Sequence, residues 1–334
     1  MFSEGDVAML RKIIVMVTVV LLVYVGNAVS GDVSDLVVDS RFVNDKQGKP
    51  DWIILDVRPG EEYKEGHIPG AVNLGKMAAK VLRDPTHRAY TMVPSIENTL
   101  GESGIGDEKH IIVYGNAVDS YYNTVTFWIL EYLGCNSDQL KCTVHYLDGG
   151  IEQWGAGGGK LDTVDTVLPH ASFKARLVPS RLATSDEVFK TVQGKKRAVL
   201  IDARNEGEYH GLDIRALRGG HIPGSVNITV QKNYDDKEFK MLPLAELKSL
   251  YKDIPPKERV ISYCQTGTRA SYTYLVLRVL GYENVANYDD SWIVYGSNVN
   301  YPVDEEQWFN FIEVNQTAKD VKELQKELHE LRQK

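Results

Sequence analysis

Along this chain, short apolar runs alternate with segments whose apolar residues recur at helical spacing. The clearest case lies between residues 260 and 281. Val260-Ile261-Ser262-Tyr263 is a β-prone run. Residues 270–280 start with small side chains and then place Leu275, Val276, Val279 and Leu280 at helical spacing before Gly281. Between run and helix stand Cys264 and a polar loop, Gln265-Thr266-Gly267-Thr268-Arg269. The order is strand, cysteine, loop, helix. Both halves of the chain repeat the alternation, which predicts an α/β fold of βαβ units with a mainly parallel sheet, flanked by helices, in each half. Two segments break the pattern. Residues 13–25 are apolar without interruption, and Val321, Leu324, Leu328 and Leu331 follow a 3-4-3 spacing among Lys and Glu, the mark of an amphipathic helix.

The halves are copies. Ile54-Leu55-Asp56-Val57-Arg58, Glu61-Glu62-Tyr63 and His67-Ile68-Pro69-Gly70-Ala71-Val72-Asn73 return as Leu200-Ile201-Asp202-Ala203-Arg204, Glu206-Gly207-Glu208-Tyr209 and His221-Ile222-Pro223-Gly224-Ser225-Val226-Asn227. The second copy carries extra residues between Tyr209 and His221. Ile111-Ile112-Val113-Tyr114-Gly115 matches Val260-Ile261-Ser262-Tyr263-Cys264, so Gly115 stands where the second half has its cysteine. A repeat at so long a period means a duplicated domain. Residues 155–180 separate the copies. The run Gly155-Ala156-Gly157-Gly158-Gly159-Lys160 is flexible by composition and lacks the Gly-Lys-Ser/Thr ending of a phosphate loop, so it reads as linker.

Length and composition fit this picture. The chain has 334 residues, 43% hydrophobic and 25% charged, enough for two packed cores and extras. A formal charge of −8 and a pI near 5.6 argue against nucleic acid as the main partner. Arg11 and Lys12 precede the 13-residue apolar run, and Ala28-Val29-Ser30 offers small residues for signal cleavage. Residues 1–30 are thus expected to be a signal peptide, with an uncleaved membrane anchor through residues 13–25 as the alternative. Either places the globular part in the periplasm or outside the cell. Three cysteines are too few for a disulfide scaffold, although Cys135 and Cys142 are expected to pair in an oxidising compartment.

The chemistry centres on Cys264. A thiol at the C-terminal edge of a sheet meets the unpaired N–H groups and partial positive charge of a helix start. With Arg269 nearby, that setting favours the thiolate, and loop amides can form an anion cradle. Four residues separate Cys264 from Arg269, one fewer than in the wider cup of cysteine phosphatases. No Cys/His cluster has metal-ligand spacing, and no metal or organic cofactor is expected.

Together these motifs resemble the tandem-domain rhodaneses, the thiosulfate and 3-mercaptopyruvate sulfurtransferases. The resemblance covers roughly residues 33–303 and includes Asn287-Tyr288-Asp289-Asp290-Ser291-Trp292 and Tyr301-Pro302-Val303. It implies an inactive rhodanese-like domain at 33–154 and a catalytic domain at 181–303; the residue pattern itself adds the linker at 155–180 and a C-terminal amphipathic helix at 304–334. The resemblance also implies a persulfide on Cys264, with Arg269 orienting the loop. Arg204, Gln265, Thr266, Gly267 and Thr268 would bind substrate, a structural Arg204 being the alternative. Mercaptopyruvate enzymes carry a second Arg where this chain has Glu208, a carboxylate that would repel the substrate's own. Thiosulfate or a related small donor is therefore expected ahead of mercaptopyruvate, with Arg215 or Arg218 as substitutes for the missing Arg. The acceptor would be a thiol, or cyanide in an assay. The Cys264 loop looks closest to those of secreted bacterial rhodaneses. A non-enzymatic binding or assembly module, self-associating through the C-terminal helix, is the rival reading.

Overall fold

The computed structural model describes residues 36–83 and 92–332. The expected signal segment, residues 1–30, lies outside them. The first half runs β1 (Val37–Val38), α1 (Ser40–Lys46), β2 (Trp52–Asp56), α2 (Gly60–Glu65), β3 (Val72–Asn73), α3 (Ala78–Val81), α4 (Val93–Glu102), β4 (His110–Tyr114), α5 (Ser120–Tyr132), β5 (Thr143–Leu147) and α6 (Gly150–Ala156). The second repeats it as β6 (Leu182–Ala183), α7 (Ser185–Val192), β7 (Val199–Asp202), α8 (Glu206–Tyr209), β8 (Arg218–His221), β9 (Val226–Asn227), α9 (Leu244–Leu250), β10 (Val260–Tyr263), α10 (Thr268–Val279), β11 (Val285–Tyr288) and α11 (Ser291–Tyr295). Each half holds a five-stranded parallel sheet, in the orders β1-β5-β4-β2-β3 and β6-β11-β10-β7-β9. The central strands β4 and β10 are almost wholly buried, which is why their sequences read as apolar runs rather than alternating ones.

The two halves share one core. In α5 every residue but Tyr121 and Tyr122 is buried, and in α10 every residue but Arg269 and Arg278. A helix apolar on all sides needs cover on all sides. Each is enclosed by its own sheet and by the other, and Phe127, Trp128 and Leu130 join Tyr272, Leu275 and Val276 in a single apolar cluster. Two polar contacts cross it. The hydroxyls of Thr124 and Ser271 share a hydrogen bond of 2.9 Å. The Glu131 carboxylate accepts from the Tyr274 hydroxyl and from Arg278 at 3.2 and 3.3 Å.

Two segments differ from expectation. Residues 157–178 are not a loose tether, because they lie along the first domain. His67 and Asp162 exchange backbone bonds, Arg176 and Val178 donate to the carbonyls of Leu133 and Tyr132, and Phe173 is buried in the core. The glycine run serves close approach here: a Cβ on Gly159 would sit 2.2 Å from the Trp154 ring. The C-terminal region does not start as a helix at 304. Asp304–Trp308 forms strand β12, antiparallel to β8, so the extra segment of the second copy and the start of the tail pair with each other. The helix proper, α12, spans Phe311–Arg332. Val321, Leu324, Leu328 and Leu331 on it are all exposed, so this face does not pack on its own domain.

Cys135 and Cys142 form a disulfide beside α5, and Cys264 is the free cysteine. No helix among the described residues is long and apolar enough to cross a membrane.

Breaking the Glu131 network tests the shared core. Glu131→Gln should lower stability by about 3 kcal/mol, since it leaves a buried guanidinium without its counter-charge. Chemical denaturation of the folded protein would measure this, and a change below about 1 kcal/mol would show that the pair contributes little.

Candidate active site

Cys264 sits at the end of β10, 1% exposed, just before the first turn of α10. The loop that follows is held by its carbonyls. Those of Cys264 and Gln265 accept from the amides of Trp292 and Ile293, at 3.0 and 2.9 Å. The Thr266 carbonyl accepts from Arg83 Nη1 at 3.0 Å. That of Gly267 accepts from Asn287 Nδ2 at 3.0 Å and from the Ser271 amide at 3.2 Å. In a planar trans peptide the N–H points opposite to the C=O. Four carbonyls tied to the surrounding protein therefore turn the next four amides, those of residues 265–268, toward the other side. Loop amides turned in this way can form an anion cradle. Gly267 is needed for the turn, with φ of 76° and no room for a Cβ, which would lie 2.7 Å from Asp289 Oδ1. Ser291 Oγ accepts the Cys264 amide at 3.0 Å and completes the frame.

Arg269 does not stand free beside the thiol. Its Nη1 and Nη2 donate to Glu208 Oε2 and Oε1 at 2.5 and 2.8 Å, and Glu208 is fully buried. Glu208 is placed by a capping box at the start of α8, with the Asn205 side chain accepting the Glu208 amide at 2.7 Å. Burial pushes the Glu208 carboxyl up, and Arg269, Arg204 and Arg215 more than reverse that, so its acidity is greater than usual. Burial works against the Arg269 guanidinium, but Glu208 and the Cys264 sulfur keep it firmly charged. Tyr121 of the first domain and Tyr234 of the second feel the same cation. Burial raises both hydroxyls and Arg269 opposes the rise.

The remaining expected residues divide. Gln265 is buried and donates to the Arg215 carbonyl at 2.6 Å, while its Oε1 has no protein partner. Thr268 Oγ1 accepts from Arg83 Nη2 at 2.7 Å, and Thr266 is partly exposed. Arg204 is a correction. It is 1% exposed, grips Asp202 through Nε and Nη2, donates to the Gly220 carbonyl at 2.7 Å and stacks over Trp292 at 4.4 Å. Arg58 makes the same contacts with Asp56 and the Gly66 carbonyl in the half that lacks a cysteine. A guanidinium used this way in both copies holds the strand end in place and is not presented to a donor. Arg218 is likewise spent on the carbonyls of Gly296, Asn298 and Tyr301 and on Glu306. Arg215, half exposed and 3.3 Å from Glu208, is an accessible cation near the loop.

The matching loop of the first domain is filled differently. A Cβ at Gly115 would collide with Asn123 Oδ1 at 2.2 Å, and Asn123 is held by the Asn116 carbonyl. Glu152 accepts the Ala117 amide at 2.9 Å, so an internal carboxylate takes up a loop donor. Sequence reasoning missed Arg83, which carries no motif. It also missed the pairing of Glu208 with Arg269, since only distance, not residue type, reveals it.

Comparison with known proteins agrees with this geometry. A model of the rhodanese-like domain matches residues 41–156 and again 185–297. The chain belongs to the rhodanese-like family. Among its relatives, a thiosulfate sulfurtransferase of Corynebacterium glutamicum is 30% identical over 286 residues, covering 80% of this chain and 90% of that protein. One from Pseudomonas aeruginosa is 28% identical and covers 80% and 97%. Of solved structures, an anaerobic ergothioneine biosynthesis enzyme from Chlorobium limicola superposes with a TM-score of 0.69 at 21% identity, over 80% of this chain and 69% of that one. EanB, solved with ergothioneine covalently linked to a cysteine persulfide, matches equally well at 0.69 and 21%, over the same shares of 80% and 69%. At that identity the likeness concerns the fold. Two rhodanese domains in tandem and relatives of this kind make the protein an enzyme of the sulfurtransferase class.

The two arginines of the rhodanese domain are separable by mutation. Arg204→Gln should destabilise the fold by about 3 kcal/mol while the folded enzyme keeps kcat/KM within a few-fold. Arg269→Gln should lower kcat by about 10²-fold. Denaturation and steady-state kinetics on both variants check the pair of outcomes, and a large rise in KM for Arg204→Gln would restore it as a donor ligand.

Proposed function

We propose that the protein moves a sulfane sulfur from thiosulfate, or a related small anionic donor, to a thiol acceptor through a persulfide on Cys264. The observation that carries this reading is a free cysteine at a strand end before a helix, followed by a loop whose four carbonyls are all tied to the surrounding protein. The Cys264 thiolate attacks the outer sulfur of thiosulfate. A Cys264 sulfur–sulfur bond forms, the donor's own sulfur–sulfur bond breaks, and its electron pair leaves with sulfite. The new outer sulfur carries negative charge, which the amides of residues 265–268 and the helix start stabilise. An acceptor thiolate, or cyanide, then attacks that sulfur and returns Cys264 as thiolate, a ping-pong sequence of two half-reactions. Arg269 keeps positive charge at the loop, and Glu208 fixes its plane.

Two features favour a small donor with little carboxylate recognition. The thiol is 1% exposed, so bulky donors meet the loop before the sulfur. The position at which mercaptopyruvate enzymes carry a second Arg is Glu208, whose carboxylate is committed to Arg269. Arg215 supplies an accessible charge for the outer oxygens of thiosulfate.

Intact mass of the purified protein after incubation with thiosulfate should show a gain of one sulfur on Cys264, removed by cyanide. With 3-mercaptopyruvate the gain should be slower. No gain from thiosulfate, or an unchanged gain in Cys264→Ser, would overturn the mechanism.

We further infer that the enzyme works outside the cytoplasm and self-associates through α12. The disulfide beside α5 is the kind that persists in oxidising compartments. The exposed Val321-Leu324-Leu328-Leu331 seam has the 3-4-3 spacing of a coiled coil, and in a parallel pair Glu327 of one helix would face Arg332 of the other. One preparation of the exported protein tests both. Its N-terminus should begin near Gly31, and light scattering should give a dimer that becomes a monomer when residues 310–334 are deleted. A cytoplasmic, uncleaved monomer would refute the pair.

A further inference from the structure

We propose that Arg83, on the domain without a cysteine, is a positioning residue for the persulfide loop of the other domain. The inference rests on the sulfurtransferase reading above, because the loop's task there is to present amides to sulfur. Arg83 follows α3, whose packing against α5 fixes the stem from which it reaches. Leu82 beside it is fully buried, and Arg83 itself is 7% exposed. From there one guanidinium meets three acceptors of the second domain. Nη1 donates to the Thr266 carbonyl at 3.0 Å and to Asp289 Oδ1 at 2.7 Å, and Nη2 donates to Thr268 Oγ1 at 2.7 Å.

The Thr266 contact is the telling one. Of the four loop carbonyls that are tied outward, those of Cys264, Gln265 and Gly267 are held by their own domain. Only that of Thr266 is held from across the interface. Its release would free the peptide between Thr266 and Gly267 to rotate and turn the Gly267 amide away from the sulfur. The side chain that prevents this belongs to the half whose own loop is dead.

The pseudo-symmetry of the molecule sharpens the point. Asp148 and Asp289 occupy matching positions, just after β5 and β11. Each receives a contact from the segment after the short parallel strand, β3 or β9, of the opposite domain. Asp148 accepts the Met241 amide at 3.1 Å on both oxygens, a backbone contact that goes no further. Asp289 accepts Arg83, which goes on to the loop. The duplicated fold thus exchanges one anchor in each direction, and only the anchor that serves the cysteine has become a multidentate guanidinium. A lysine could satisfy one of the three acceptors, so charge alone does not substitute for Arg83.

Arg83→Ala and Arg83→Lys test the proposal on the full-length enzyme. Both should lower kcat at saturating thiosulfate and cyanide by about tenfold or more, with KM for cyanide changed less than about threefold. Amide hydrogen exchange should quicken by about tenfold at residues 265–269 while Leu130 and Val276 in the shared core keep their protection. Should Arg83→Ala fail to fold, Arg83→Lys carries the same readouts. A kcat within about twofold of wild type, or protection lost evenly through α5 and α10, would overturn the assignment and leave Arg83 an ordinary interface pair. A wild-type enzyme that takes up no sulfur refutes the proposed reaction instead, and the exchange contrast still decides whether Arg83 holds the loop.

Discussion

The packing of α5 against α10 is the contact on which the rest depends. Both helices are apolar on nearly every side, so neither is stable facing water, and each supplies what the other lacks. Because α10 is capped by Gly267, three residues after Cys264, the helix that closes the domain interface is also the helix that ends the cysteine loop. Interface and chemistry are therefore one element. Anything that loosens the shared core loosens the loop that follows Cys264.

Duplication left two scaffolds with the same strand ends and different loops. Asp56 with Arg58 and Asp202 with Arg204 are superposable struts, and Tyr63 over His67 and Tyr209 over His221 stack alike, at 3.8 and 3.7 Å. The five-stranded sheets match, and the loops beyond the strands diverge. In one loop Asn123 and Glu152 fill the space and take up a donor, and the loop is locked. In the other, Glu208 draws Arg269 aside into a bidentate pair. A buried carboxylate next to an anion site looks unfavourable in isolation. Paired this way it fixes the arginine's orientation and removes its own charge from the balance.

Much of this was legible in the chain. Apolar runs marked the parallel strands because both faces of such sheets are covered, and the paired Asp-x-Arg and His-Ile-Pro-Gly motifs marked the duplication. Gly115 opposite Cys264 told the two loops apart, since that difference is one of residue type at matching places. The boundary of the tail was not legible. Residues 304–308 form a strand only because β8 offers an edge to them, and that edge is itself an insertion. The glycine run read as loose, yet it wraps Trp154 where side chains would collide.

What the sequence determined by itself was local: element type, repeat, and the cysteine at a strand end before a helix. Tertiary structure decided which arginine does what. Arg58, Arg83, Arg204, Arg215, Arg218 and Arg269 are the same side chain, and their roles follow from which carbonyls and carboxylates lie within 3 Å or so of each. A guanidinium is always charged and always seeks acceptors, so its identity carries no address. The address comes from folding, which brought Arg83 to a loop 183 residues away and enclosed Arg204 beside its own strand.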